Sequence, residues 1–150
     1  MNILNYSLTA LISYIGLFVG FILALIAKEE LKAGKKYFVT LQKIILLLIF
    51  IFLLIFELSY IPLLLISIFI IIYLFKTKKS FNESLYIYIL LGIIFYLSSK
   101  TLNLFIIESS LIFLYGIPTG TLLTKKNETI INILKNISFI VVVIILFLIL

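Results

Sequence analysis

Few side chains in this chain can do chemistry, and most of them cluster in one apolar stretch. Glu108 stands beside Ser109 and Ser110, five residues after Asn103. A carboxyl group at bilayer depth costs on the order of 2.5–3.5 kcal/mol on insertion scales, so it is expected to face a bundle interior and bind a proton or a cation. Glu57 falls at the end of another apolar stretch, on the same expected side of the bilayer. Glu57, Asn103, Glu108, Ser109 and Ser110 are therefore the expected lining of one outward-facing polar cavity. The competing expectation is a hydrogen-bond network, or a Glu108–Lys100 ion pair, that only tightens the bundle.

Further along the same stretch come Gly116, Pro118 and Gly120. Proline has no N–H to donate and its ring clashes with the carbonyl four residues earlier. A kinked or interrupted helix is expected here, and broken helices commonly frame sites inside membrane proteins. Gly16, Gly20 and Ala24 recur at a spacing of four, a ladder that lets two helix backbones approach closely.

The chemistry the chain lacks is as informative. It has no Cys, His, Asp, Arg or Trp, and all 12 basic residues are Lys. No Ser-His-Asp or Cys-His arrangement can be assembled. Neither can a His- or Cys-based metal site. The chain is expected not to be an enzyme, and no cofactor or metal is expected.

These residues are carried by an unusually apolar chain of 150 residues. Hydrophobic residues make up 65% and charged residues 12%, with a mean hydropathy of +1.38. Soluble domains hold about 45–50% apolar and about 25% charged residues. That composition excludes a soluble globular domain, a disordered chain and a nucleic-acid-binding domain, and makes the lipid bilayer the first partner.

A spanning helix needs about 20 mostly apolar residues. The stretches that qualify are Ser7–Ala27, Phe38–Leu58, Tyr60–Phe75, Leu85–Ser99, Leu102–Leu123 and Ile130–Leu150. The second and third are separated because the block from Ile44 to Phe75 would be about 48 Å long as one helix, against a hydrocarbon core of about 30 Å. Pro62 also disfavours helical geometry in the residue before it. The lysine-rich stretch from Lys28 to Lys36 is expected to be a bend, with Gly34 as a helix stop.

Basic residues in short loops mark the cytoplasmic side. With both termini on the non-cytoplasmic face of the cell membrane, eleven of the 12 lysines fall on one side and only Lys100 on the other. The expected fold is thus all-α: one transmembrane domain over residues 1–150, with six helices arranged as three hairpins and short loops. Such plain helices suit a non-catalytic accessory or structural subunit of a membrane assembly, with other membrane subunits or further copies of itself as partners. The alternative is a small cation- or proton-linked transporter or channel using Glu108.

Overall fold

The computed structural model describes residues 2–56, 85–123 and 129–149. The described residues are helical, with no strand among them. They form α1 (Ile3–Ile26), α2 (Lys28–Phe56), α3 (Leu85–Ser98), α4 (Leu102–Leu122) and α5 (Thr129–Ile149). Three helical stretches, Ile3–Ile26, Ala33–Phe56 and Leu102–Leu122, are long and apolar enough to cross a membrane. Tyr86–Ser98 and Asn136–Ile149 are apolar but shorter. The expected span Tyr60–Phe75, like Glu57 and Pro62, lies outside the described residues.

Local sequence accounts for the helix ends. Asn2 caps α1 by accepting from the Leu4 N–H at 3.5 Å, which satisfies one of the donors a helix start leaves open. Ser7, Thr9 and Ser13 donate their hydroxyls to carbonyls of their own helix, so they cost little inside an apolar segment. A single residue, Ala27, separates α1 from α2. Ser99, Lys100 and Thr101 form a three-residue turn between α3 and α4.

The lysine-rich stretch is helix, which corrects the expected bend. α2 begins at Lys28 and passes straight through Gly34. Glu, Lys and Leu are good helix formers, and one interior glycine costs only about 1 kcal/mol.

The backbone crossings fix the helix directions. Ser13 bonds to the Ser109 carbonyl. Gly16 lies against Phe113, and Gly20 against Ile117. Positions rise together along both chains, so α1 and α4 run parallel. Gly92 of α3 lies against Phe139 and Val142 of α5, and Phe95 also packs on Phe139. The short turn at Lys100 makes α3 and α4 antiparallel, with Phe95 and Phe105 in edge contact on either side of it.

α1 packs most extensively on α4, α2 on α4, and α3 on α5. The contacts of α3 with α4 and of α1 with α5 are much thinner. The bundle thus divides into α1, α2 and α4 on one side of a seam, and α3 and α5 on the other. One buried apolar cluster bridges the seam. At one end Tyr6 stacks on Phe147 and Phe105 and packs tilted against Phe95, and its hydroxyl donates to the Val143 carbonyl. Each such aromatic pair contributes about 0.5–1.5 kcal/mol beyond its buried area.

Candidate functional site

Glu108 sits six residues into α4, about 9 Å from its start. Its buried neighbours on the helix are Leu104 and Phe105 one turn before it and Ile112 one turn after. The side chain is 0% exposed, and neither carboxyl oxygen has a hydrogen-bond partner among the described residues. A buried polar group left unsatisfied costs about 1–3 kcal/mol, and more when it is charged. A carboxyl kept in such a place is a candidate functional group.

The structure does not assemble the cavity expected around it. Asn103 and Ser110 are exposed, and Ser109 is half-buried. Both serines donate to the Ile106 carbonyl of their own helix. Lys100 is exposed in the turn, so the expected Glu108–Lys100 pair is not formed. Glu57 lies outside the described residues. The serines follow a common local rule, in which a hydroxyl in a helix bonds back to a carbonyl three or four residues earlier.

The expected interruption at Pro118 is absent as well. α4 continues as helix from Leu102 to Leu122 with Pro118 inside it. Pro118 has no N–H to offer the Leu114 carbonyl four residues earlier, so one backbone bond of the helix is missing there. Two hydroxyls work beside it. Thr119 donates to the Tyr115 carbonyl and Thr121 to the Pro118 carbonyl, each at 2.8 Å.

Gly116 and Gly120 instead form a crossing. A Cβ placed on Gly16 would run into the Phe113 carbonyl oxygen, and one on Gly20 into that of Ile117. Conversely, a Cβ on Gly116 would meet the Leu17 nitrogen at 2.5 Å, and one on Gly120 the Leu17 oxygen at 2.1 Å. Ala24 is buried on the same helix. Four glycines therefore let two backbones touch, with no side chain between them.

A second polar group lies toward the Gly20–Gly120 end. Gln42 of α2 is fully buried. Its Nε2 donates to the Thr119 hydroxyl at 3.0 Å and to the Tyr115 hydroxyl at 3.3 Å. Across the seam, Tyr88 of α3 and Asn136 of α5 are buried, and neither the Tyr88 hydroxyl nor the Asn136 amide has a hydrogen-bond partner among the described residues. The Tyr88 hydroxyl lies near the Asn136 amide but outside hydrogen-bond geometry.

A narrow, half-open cleft runs along this seam. Ser13, Tyr14 and Leu17 of α1, Ile112 and Tyr115 of α4, Tyr88 and Leu91 of α3, and Phe139 of α5 line it. Its interior space is about 20 Å³, roughly what one water needs.

Gln42, Tyr88, Tyr115, Thr119 and Asn136 were not expected from sequence. The signal present was a polar residue interrupting an apolar stretch, at Gln42 and at Asn136. No group of three or more His, Cys, Asp or Glu residues that could hold a metal occurs among the described residues. No known protein family matches the chain, and neither a curated protein nor a solved structure is similar to it.

Proposed function

We propose that the protein is a small multi-pass membrane protein that carries a proton or a monovalent cation, with Glu108 as the group that binds it. The single observation that carries this reading is the burial of Glu108 with both carboxyl oxygens unpartnered. A carboxyl that served only packing would be matched by donors, as the buried Gln42 is matched by its acceptors. Buried polar groups are satisfied in the great majority of cases. The reading is non-enzymatic, in keeping with a chain that has no His, Cys, Asp or Arg.

Six spans in three hairpins, with both termini on the non-cytoplasmic face, belong to the same proposal. The helix directions support the path. Gln42 meets Thr119, and the buried residues that follow it, Leu46, Ile49, Phe50 and Leu53, join the cluster that reaches Tyr6. α2 therefore runs against α1 and α4, in the same direction as α3. The expected span Tyr60–Phe75, which lies outside the described residues, belongs to this six-span reading.

The test is flux in liposomes. Purified protein is reconstituted, and proton and sodium movement are followed separately with entrapped dyes under an imposed potential. Wild-type protein is expected to pass one of the two ions, and Glu108→Gln to lose it. Undiminished flux in Glu108→Gln overturns the reading.

A second reading is a non-catalytic subunit of a membrane assembly, or a homo-oligomer. It is favoured by the plain apolar exterior of the described helices, where Ile12, Ile22, Ile106, Leu114 and Ile144 all face outward. A native pull-down from the protein's own membranes in mild detergent discriminates. A stoichiometric set of partners establishes the subunit, and a lone monomer leaves the flux reading.

A further inference from the structure

α3 and α5 form the smaller side of the bundle, and their contact brings two buried polar side chains together. The two helices run parallel. Phe95 near the end of α3 and Phe147 near the end of α5 both pack on Tyr6, so both helices finish at the same end of the bundle. Gly92 of α3 lies against Phe139 of α5. One turn earlier on each helix stand Tyr88 and Asn136. The register of the crossing therefore places these two side by side.

Tyr88 is 4% exposed and Asn136 0%. The Tyr88 hydroxyl and both polar atoms of the Asn136 amide have no hydrogen-bond partner among the described residues. Three unmatched atoms thus gather at one crossing, whereas the buried Gln42, Ser13 and Ser98 are each matched. Two polar groups that stand close without bonding are commonly joined by a water between them. A buried water typically makes about three hydrogen bonds, all to groups that would otherwise be unsatisfied.

The chemistry of the pair fixes the kind of molecule. The hydroxyl can donate and accept, and the amide donates from nitrogen and accepts at oxygen. A molecule that bonds both residues must therefore donate and accept as well. Neither residue carries a charge, and an ion held by uncharged groups in an apolar medium is costly. The molecule is therefore neutral. Tyr88 also borders the seam cleft, whose interior space of about 20 Å³ is roughly what one water needs. A molecule of that size can reach Tyr88 from the seam, and a larger one cannot.

We propose that Tyr88 and Asn136 form a binding site for one water molecule, which ties α3 to α5 one turn before Gly92. The water donates to the Asn136 Oδ1 and accepts from the Asn136 Nδ2 or the Tyr88 hydroxyl. The inference is independent of the role of Glu108. It makes the pairing of α3 with α5 depend on a ligand that lipid chains cannot replace.

The full chain in mild detergent, isotope-labelled on asparagine nitrogen, tests this. The side-chain amide signal of Asn136 is the one that Asn136→Leu removes. In a rotating-frame NMR experiment on the unmutated protein, that signal is expected to show a cross-peak to water with dipolar sign, opposite to the sign of chemical exchange. Melting is then followed for Tyr88→Phe, Asn136→Leu, the double variant and the control Tyr86→Phe, whose ring is exposed. Each single variant is expected to melt about 2–4 °C lower, the effect of losing one hydrogen bond. The double variant is expected to lose less than the sum, because both changes remove the same bridge. Tyr86→Phe is expected to melt unchanged. Higher melting temperatures in both single variants would mean that unsatisfied atoms had been removed, and that overturns the site. A dipolar water peak that is absent, with both single variants destabilised, means that the two side chains bond each other directly, and it overturns the site as well. The water signal is read on the unmutated protein, so a variant that fails to fold does not decide the outcome.

Discussion

The two contacts that α4 makes across the bundle are opposites. Toward α1 it offers Gly116 and Gly120 to Gly16 and Gly20, and the backbones meet with nothing between them. Toward α3 and α5 it offers Tyr115 and Ile112, and the meeting is thin, along a narrow and almost wholly apolar cleft. The first contact is dense because small residues let dispersion and weak Cα–H contacts add up along two turns. The second contact places large rings with hydroxyls where packing is incomplete. A single helix thus has one face built for rigidity and one that leaves hydrogen-bonding capacity unused. Inside a membrane the rigid contact holds the shape, and the looser one leaves the two halves of the bundle joined mainly by side chains.

The sharpest way to break this contrast is to fill the dry contact. Gly16→Leu places carbon where the Phe113 carbonyl already stands, so α1 and α4 must separate. The expected result is loss of the folded species, seen as aggregation on size-exclusion chromatography, with a cost on the order of several kcal/mol. Retention of a sharp monodisperse peak would refute the close crossing.

Next in size are two of the buried polar residues, Gln42 and Glu108, which should respond in opposite directions. Gln42→Leu removes the hydrogen bonds to Tyr115 and Thr119. A loss of about 1–3 kcal/mol is expected. Glu108→Met replaces an unpartnered carboxyl with an apolar side chain of similar length. A gain of about 1–3 kcal/mol is expected, together with loss of flux. Thermal melts of both variants in the same detergent measure the pair, and two shifts of the same sign would defeat the comparison.

A smaller effect is expected at Gly92, on the α3–α5 contact. A Cβ there would come 2.8 Å from Cγ1 of Val142, a side-chain atom that can give way. Gly92→Ala should cost about 1–2 kcal/mol in the same melts, well below Gly16→Leu. The smallest effect is expected at Gly34, inside the exposed part of α2. An added Cβ meets only the Phe38 ring, at 3.3 Å. Gly34→Ala should stabilise by up to about 1 kcal/mol through helix propensity, read as a small rise in melting temperature.

Much of the fold was legible because a membrane imposes a simple rule on long apolar stretches. The expected Leu102–Leu123 and Leu85–Ser99 differ from α4 and α3 by a single residue each at the end. α2 starts at Lys28, ten residues before the expected Phe38, because Lys and Glu favour helix even where their charge suggests a loop. Glu108 stood out because a lone charge in an apolar span is costly wherever it points. Its expected companions failed for a physical reason. Ser109 and Ser110 can satisfy themselves within their own turn, so adjacency in sequence did not bring their hydroxyls to the carboxyl. The pairing of Gln42 with Thr119 and Tyr115, and the approach of Tyr88 to Asn136, depend on how separate helices meet. No periodicity within one helix encodes that.

The parallel crossing of α1 and α4 also has a consequence in time. Gly16 and Gly116 are a hundred residues apart, and chains are made at about 5–20 residues per second. For roughly 5–20 s after Gly16 is made, its glycine face therefore waits in the membrane for a partner not yet synthesised. During that interval the bare face is open to any small-residue face on another helix. Correct assembly of this protein is then a matter of delay as much as of affinity, and slower translation between α1 and α4 lengthens the window for mispairing.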